Sequence, residues 1–261
     1  MGGAPMGIGG AVILLILSLV FGRNFFSNEG GGSVVQQQPA IGQPVAETPE
    51  EHRRAQFISF VLDDAQKTWE AVLPNQARTP YRHAKLVFFR DATDSACGYA
   101  KAASGPFYCP EDEKVYVDLA FFDELHERFG APGDFAQAYV LSHEIGHHVQ
   151  KVLGIEPKVH QAMESDPQHA RELSVRLELQ ADCYAGIWGH STQRRNILES
   201  GDVEEGLNAA ASVGDDRLQR MSGRRVSPDS FTHGSSRQRE EWFRRGFNSG
   251  RLSDCDTFAG R

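Results

Sequence analysis

Cysteine is scarce in this chain: four residues in 261, too few for a disulfide-dense miniprotein. Basic charge is in deficit, with 27 Lys and Arg against 35 Asp and Glu and a net charge of −8. That balance argues against a nucleic-acid binder working through a basic surface. Long apolar runs are missing apart from one near the start, and the mean hydropathy of −0.43 excludes a polytopic membrane protein. No internal repeat is visible. What is present is ordinary for a globular protein: 40% hydrophobic and 24% charged residues supply a core and exclude wholesale disorder. At about 150 residues per domain, the length fits one catalytic-sized domain with extras.

The apolar run is IGGAVILLILSLVF at residues 8–21, followed by Gly22 and Arg23. Counted over 6–26 it just reaches the roughly 20 residues that a spanning helix needs, and Arg23 can snorkel at its end. A cleaved signal peptide wants a basic leader and a small-x-small cleavage site, yet no Lys or Arg precedes the run. A buried core helix fits poorly with a segment that is apolar all round and followed by a linker. The expectation is an uncleaved membrane anchor over 1–26, its charge bias too weak to set orientation alone. Residues 27–49, rich in Gly, Gln and Pro and without an aromatic residue, read as a flexible tether.

The folded domain is expected over 50–261. Phe57, Phe60, Val61, Ala65, Thr68 and Val72 recur at helical spacing and predict a helix ending before Pro74. Residues 84–90 and 114–119 read as strands, joined by a loop that holds Cys97 and Cys109. Beyond Leu119 the pattern is helical over 121–129, 134–153, 167–189, 202–221 and 235–248. Asp202 and Glu205 have the spacing of a capping box, with Asp where Ser or Thr is usual. The fold class is α+β: a small sheet, then helices.

The chemistry is carried by His143-Glu144-Ile145-Gly146-His147, inside the apolar-periodic run 134–153. Residues four apart on a helix differ by about 40° after one full turn, so both imidazoles leave one face and can share a Zn²⁺. Glu144, about 100° round from His143, flanks the metal as a general base for an activated water and can pass the proton to a leaving amine. Catalytic zinc needs a third protein ligand. Glu178 and Asp182 are again four apart on a predicted helix. Glu178 supplies the third ligand, and Asp182 accepts a hydrogen bond from His143 or His147, fixing its tautomer.

Each element alone has a blander reading. HExxH arises by chance on solvated helix faces, and Glu178 or Asp182 singly suits a surface charge. Two helices that each present a polar pair on an otherwise apolar face need partners for those groups. His148 lies about 140° round from His143 and misses the metal. His126, His160, His169 and His190 lack ligand spacing.

These residues resemble the bacterial family of neutral zinc metallopeptidases, membrane-anchored and zincin-like. The likeness covers nearly the whole chain: the apolar start and Gly-rich tether, SACG at Ser95, GPFYCP at Gly105, VYVD at Val115, HEIGHH at His143, ELQADC at Glu178, FTHGSS at Phe231 and CDTF at Cys255. The resemblance implies a zinc-dependent peptidase fold and leaves the substrate open.

Four cysteines allow three pairings. A bridge between Cys97 and Cys109 would fasten their loop beside strand 114–119; in zincin-like folds an edge strand near the zinc often aligns the substrate. A bridge between Cys183 and Cys255 would fasten the tail to the helix carrying Glu178. This pairing is favoured over four buried thiols, and cysteine ligation of zinc fits poorly beside a complete His-His-Glu set. Disulfides imply an oxidising compartment, placing a membrane-tethered catalytic domain outside the cytoplasm. His233, before Gly234 and Ser235, is a candidate donor to the oxyanion or a helix cap; Tyr108, Tyr116 and Tyr139 are weaker candidates. Arg237, Arg239, Arg244 and Arg245 share a segment with Glu240, Glu241, Trp242, Phe243 and Phe247, which reads as a packed amphipathic helix rather than a nucleic-acid patch. The expected function is hydrolysis of a peptide or protein substrate. The rivals are an anchored zinc-containing binding module without turnover and a zinc hydrolase of another amide, such as cell-wall peptide.

Overall fold

The computed structural model describes residues 48–101 and 105–259, and its first helix caps itself. Thr48 Oγ1 accepts the Glu51 N–H while the Glu51 carboxylate accepts the Thr48 N–H, a reciprocal box with Pro49 at the first helical position. This helix, α1, runs Pro49–Ala77. Thr48 and Pro49 thus belong to the folded part, whereas the expected anchor at 1–26 and the rest of the expected tether lie outside the described residues. No helix among the described residues is long and apolar enough to cross a membrane. Pro74 does not end α1 as expected. It removes one hydrogen bond in the last turn, and the burial of Leu73 with the packing of Ala77 on the core outweighs that loss. Arg78, in the left-handed region at φ 55°, ends the helix instead.

Two strands stand where the sequence put them, β1 at Lys85–Phe89 and the strand at Lys114–Asp118. The segment between them is not simply a loop. It folds into β2 (Ala92–Ser95) and β3 (Gly98–Lys101), an antiparallel hairpin, and β4 (Phe107–Cys109). Lys114–Asp118 is therefore β5. The sheet order is β1-β5-β4, with β1 parallel and β4 antiparallel to β5. So 114–118 is the central strand, and 107–109 forms the edge. Burial on both faces explains the placement: Val115 and Val117 enter the main core, and Tyr116 joins Phe107 and Cys109 in a smaller one.

The rest is helical: α2 (Phe121–Glu127), α3 (Asp134–Val152), α4 (Ile155–Ser165), α5 (Ala170–Arg194), α6 (Asp202–Ser212), α7 (Asp215–Met221) and α8 (Ser236–Ser249). Helix α4 was not foreseen in the stretch between the helices expected at 134–153 and 167–189. Gly154 turns the chain at φ +68°, and Pro157 falls in the first turn of α4, where an N–H has no helical partner to lose. The single helix expected over 202–221 breaks between α6 and α7, where a Cβ on Gly214 would stand 2.2 Å from Ser236 N. The Asp202–Glu205 box does not form. Asp202 accepts the Glu199 N–H, and Glu205 reaches across to accept the Phe135 N–H in the first turn of α3, so it caps the HExxH helix from outside. Ser235 and Gln238 form a true capping box on α8.

The helices meet at very short range. A Cβ on Gly246 of α8 would lie 1.9 Å from the Cys183 carbonyl oxygen of α5, and one on Gly146 of α3 would lie 2.9 Å from the Ala181 oxygen. A disulfide joins Cys183 to Cys255, and another joins Cys97 to Cys109. Helix α5 is thus clamped between α3 and α8, with the tail bonded to its back. Gly246→Ala should therefore destabilise the protein, and lower its melting temperature, more than Gly146→Ala does, overpacking strain costing each about 1–3 kcal/mol of stability. Thermal unfolding followed by circular dichroism checks this, and an unchanged melting point for Gly246→Ala would contradict the packing described.

Candidate metal centre

The Gly146 contact sets the site, because it lies between His143 and His147 on α3 and brings their face against Glu178 and Asp182 on α5. His143 Nε2 stands 3.2 Å from His147 Nε2 and 3.2 Å from Glu178 Oε2. His147 Nε2 is 3.5 Å from Glu178 Oε1. One ligand atom from each of the three lies within 4.8 Å of the others. The outer nitrogens face acceptors: His143 Nδ1 is 2.9 Å from Asp182 Oδ1, and His147 Nδ1 is 2.9 Å from Gln150 Oε1. A proton on each Nδ1 would satisfy these acceptors and leave an Nε2 lone pair facing the common centre when a metal is bound. Two imidazole nitrogens and a carboxylate suit Zn²⁺ with a position left open, so the donor set fits that ion.

Asp182, fully buried, does more than orient His143. The Tyr139 hydroxyl donates to Oδ1, and Arg239 of α8 donates through Nε to Oδ2 at 2.8 Å and through Nη2 to Oδ1 at 3.0 Å. Burial opposes charge on Asp182, but Arg239 and His143 outweigh it and hold the carboxyl below its ordinary range. Burial likewise opposes charge on Glu178, which His233, His147 and His143 keep well below the ordinary range. His147 is driven down to about 4, chiefly by burial, so its ring is neutral. At His143 burial is overcome by Asp182 and Glu178, raising it to about 9; in the metal-free protein a proton and a metal compete for it.

Glu144 lies beside this cluster without joining it. Its Oε2 accepts the Tyr108 N–H of edge strand β4 at 2.8 Å. Burial first, then the charge of Glu178, pushes its carboxyl up to about 7. His148 lies outside the His-His-Glu cluster. It braces the same strand, with Nδ1 2.9 Å from the Tyr108 hydroxyl and Nε2 donating to the Arg82 carbonyl at 2.6 Å.

His233 approaches from the far side, its Nε2 3.9 Å from Glu178 Oε1 and its Nδ1 3.6 Å from Asp215 Oδ1. The loop is gripped by Asp215 Oδ2, which accepts the N–H groups of Thr232, His233 and Gly234 at 2.7, 2.7 and 3.0 Å. Burial lowers the affinity of His233 for a proton, but Glu178 and Asp215 raise it on balance. The three tyrosines considered as alternatives are engaged elsewhere: Tyr108 with His148, Tyr116 with Asp112 and Tyr139 with Asp182. His160, His169 and His190 pair with Glu156, Asp166 and the Phe247 carbonyl, and His126 sits in the last turn of α2.

Arg239, Asp215, Gln150 and the Tyr108 N–H were not foreseen. Arg239 had a signal: residues 239, 243 and 247 share one face of α8, and Phe243 and Phe247 are buried. The neighbouring arginines behave as surface groups, Arg237 pairing with Glu241 and Arg244 with Glu240. Asp215 and Tyr108 had none, since the Asp215 carboxylate grips backbone N–H groups of a distant loop and Tyr108 offers its own, contacts that only the tertiary fold makes.

The sequence profile of the family described as "Putative neutral zinc metallopeptidase" matches residues 1–258. The chain is 48% identical over 257 residues to the uncharacterized protein YpfJ of Escherichia coli strain K12, covering 97% of this chain and 88% of that one. It is 41% identical over 202 residues to the uncharacterized protein Rv2575 of Mycobacterium tuberculosis strain H37Rv, covering 73% of this chain and 66% of that one. No solved structure matches. The His-His-Glu cluster and a match along almost the entire length agree, and the chain belongs to the family described as "Putative neutral zinc metallopeptidase".

Proposed function

We propose that the protein is a zinc-dependent peptidase in which His143, His147 and Glu178 hold the ion and Glu144 moves the proton. The observation that carries this reading is the convergence of two Nε2 atoms on the Glu178 carboxylate, with the outer nitrogens of both rings engaged by acceptors. Zinc bound by that set supplies Lewis acidity, which acidifies water and polarises a carbonyl.

The chain's own groups do the rest. Glu144, held on Oε2 by the Tyr108 N–H, takes the proton of the attacking water on Oε1 and returns it to the leaving amine. Burial raises its carboxyl in the metal-free protein, and a carboxyl that takes a proton readily suits return of that proton to the amine. His233 Nε2, steadied through the Asp215 clamp, donates to the developing oxyanion. Asp182 and Arg239 orient His143 without touching substrate. The apolar segment at 1–26 serves as the membrane anchor, and two disulfides support a catalytic domain outside the cytoplasm.

Glu144→Gln should keep stoichiometric zinc and lose about 10²–10⁴-fold in peptide hydrolysis. Metal analysis alongside a peptide-library assay of both proteins checks this; zinc in both and cleavage by neither would favour the binding-module reading. His233→Ala should lower kcat by about 10²-fold with zinc content unchanged, read from steady-state kinetics.

The raised Glu144 carboxyl also predicts a pH effect on the chelated, metal-free protein. The folded state takes this proton at about 7 rather than at the ordinary 4.5. Its contribution to stability is therefore complete below the lower value and is lost as pH rises through the upper one. Between these limits, metal-free Glu144→Gln should gain on wild type by on the order of 3 kcal/mol. Urea unfolding across that range measures the difference, and parallel pH curves for the two proteins would rule the effect out.

A further inference from the structure

Two glutamines are buried between α3 and α5, Gln150 with no exposure and Gln180 with 3%. Buried amides are costly unless every donor and acceptor finds a partner, and these two form a chain with one direction. Gln150 Nε2 donates to the Leu177 carbonyl at 2.7 Å and to Gln180 Oε1 at 3.1 Å. Gln180 Nε2 donates to the Cys255 carbonyl at 3.1 Å. Both carbonyls only accept, so neither amide can be flipped: exchanging N and O would set oxygen against oxygen at Leu177 and at Cys255. With both amides fixed, Gln150 presents Oε1, an acceptor, to His147 Nδ1 at 2.9 Å.

We propose that Gln150 and Gln180 are positioning residues that lock the His147 ring as its Nδ1–H tautomer, leaving the Nε2 lone pair for the metal. The direction is set at two points, by the Leu177 carbonyl at Gln150 and by the backbone of Cys255 at Gln180, the Cys255 side chain being bonded to Cys183 on α5. The lock on His147 is thus made of neutral amides, whereas His143 is oriented by the charged Asp182. The bond from Gln150 to Leu177 has a second effect. It joins the helix of His147 to the residue just before Glu178, so ring orientation and ligand spacing are fixed by one side chain.

The proposal rests on the metal-site reading for its consequence and not for its geometry, so the experiment has a readout for each. Full-length protein labelled with ¹⁵N-histidine is freed of metal by chelation, and long-range ¹⁵N–¹H correlations report which ring nitrogen carries the proton. The His147 signal is identified by its loss in His147→Gln. Zinc affinity is measured separately by chelator competition. Wild type should show the Nδ1–H pattern for His147. Gln150→Met should lose that pattern and bind zinc about 10–100-fold more weakly. Gln180→Met should weaken zinc less, because Leu177 still orients Gln150. The double variant should bind no more weakly than Gln150→Met alone, since Gln180 acts only through Gln150.

An unchanged His147 tautomer in Gln150→Met, or losses in zinc affinity that add in the double variant, would overturn the proposal and leave the glutamines as packing groups. If Gln150→Met does not fold, Gln180→Met must still show a weakened Nδ1–H preference, and its absence is equally decisive against the relay. Failure of wild type to bind zinc would sink the metal-site reading instead, while the tautomer measurements would still decide the relay.

Discussion

Everything near the centre of this protein depends on one buried carboxylate. Asp182 sits where α3, α5 and α8 converge and takes hydrogen bonds from Tyr139 and His143 of the first and from Arg239 of the last. A charge so far from water is tolerable only with a well-aligned counter-ion and its remaining lone pairs filled, and Arg239 provides both. The same contacts that make Asp182 tolerable fix the ring of His143 and hold α8 against α5. Site and core are therefore one construction. The glycines at 146 and 246 allow it, since a single methyl group at either would push apart the helices that must touch.

The arrangement also divides charge. Glu178 and Asp182 bring two negative charges close to the two imidazoles, Arg239 cancels one, and the amide of Gln150 adds none. Glu144 is held apart from this balance by burial and by the N–H of an edge strand. Two carboxylates on neighbouring helices thus behave in opposite ways: Glu178 is held ionised among histidines, and Glu144 is poised to gain and lose a proton. Environment, rather than residue type, assigns the roles.

Much of this was legible in the sequence because it is periodic. Four-residue spacing put His143 with His147 and Glu178 with Asp182, and the apolar pattern placed both pairs inside helices. What escaped was whatever depends on packing. No element was expected between 153 and 167, yet α4 forms there, with Pro157 in a first turn where it loses no hydrogen bond. Glu205 resembled the end of a local capping box and instead caps α3 from another helix. Strand β4, three residues long, is too short to carry a pattern, so the sheet edge beside Glu144 could not be read. Arg239 stood in view, in register with Phe243 and Phe247, but among charged neighbours its register was easily mistaken for a surface position. The N-terminal segment was legible as an apolar run and lies outside the described residues.

The order of these parts along the chain matters as well. All three candidate metal ligands and Glu144 lie before residue 180, but Arg239 and Cys255 arrive with the last few dozen residues. A chain still emerging from the ribosome has its donors, with Gln150 and Asp182 beside them, before it has Arg239 or the tail cysteine. Chain order thus leaves the Asp182 carboxylate without its counter-ion, and α5 without its disulfide, until the last residues have been made.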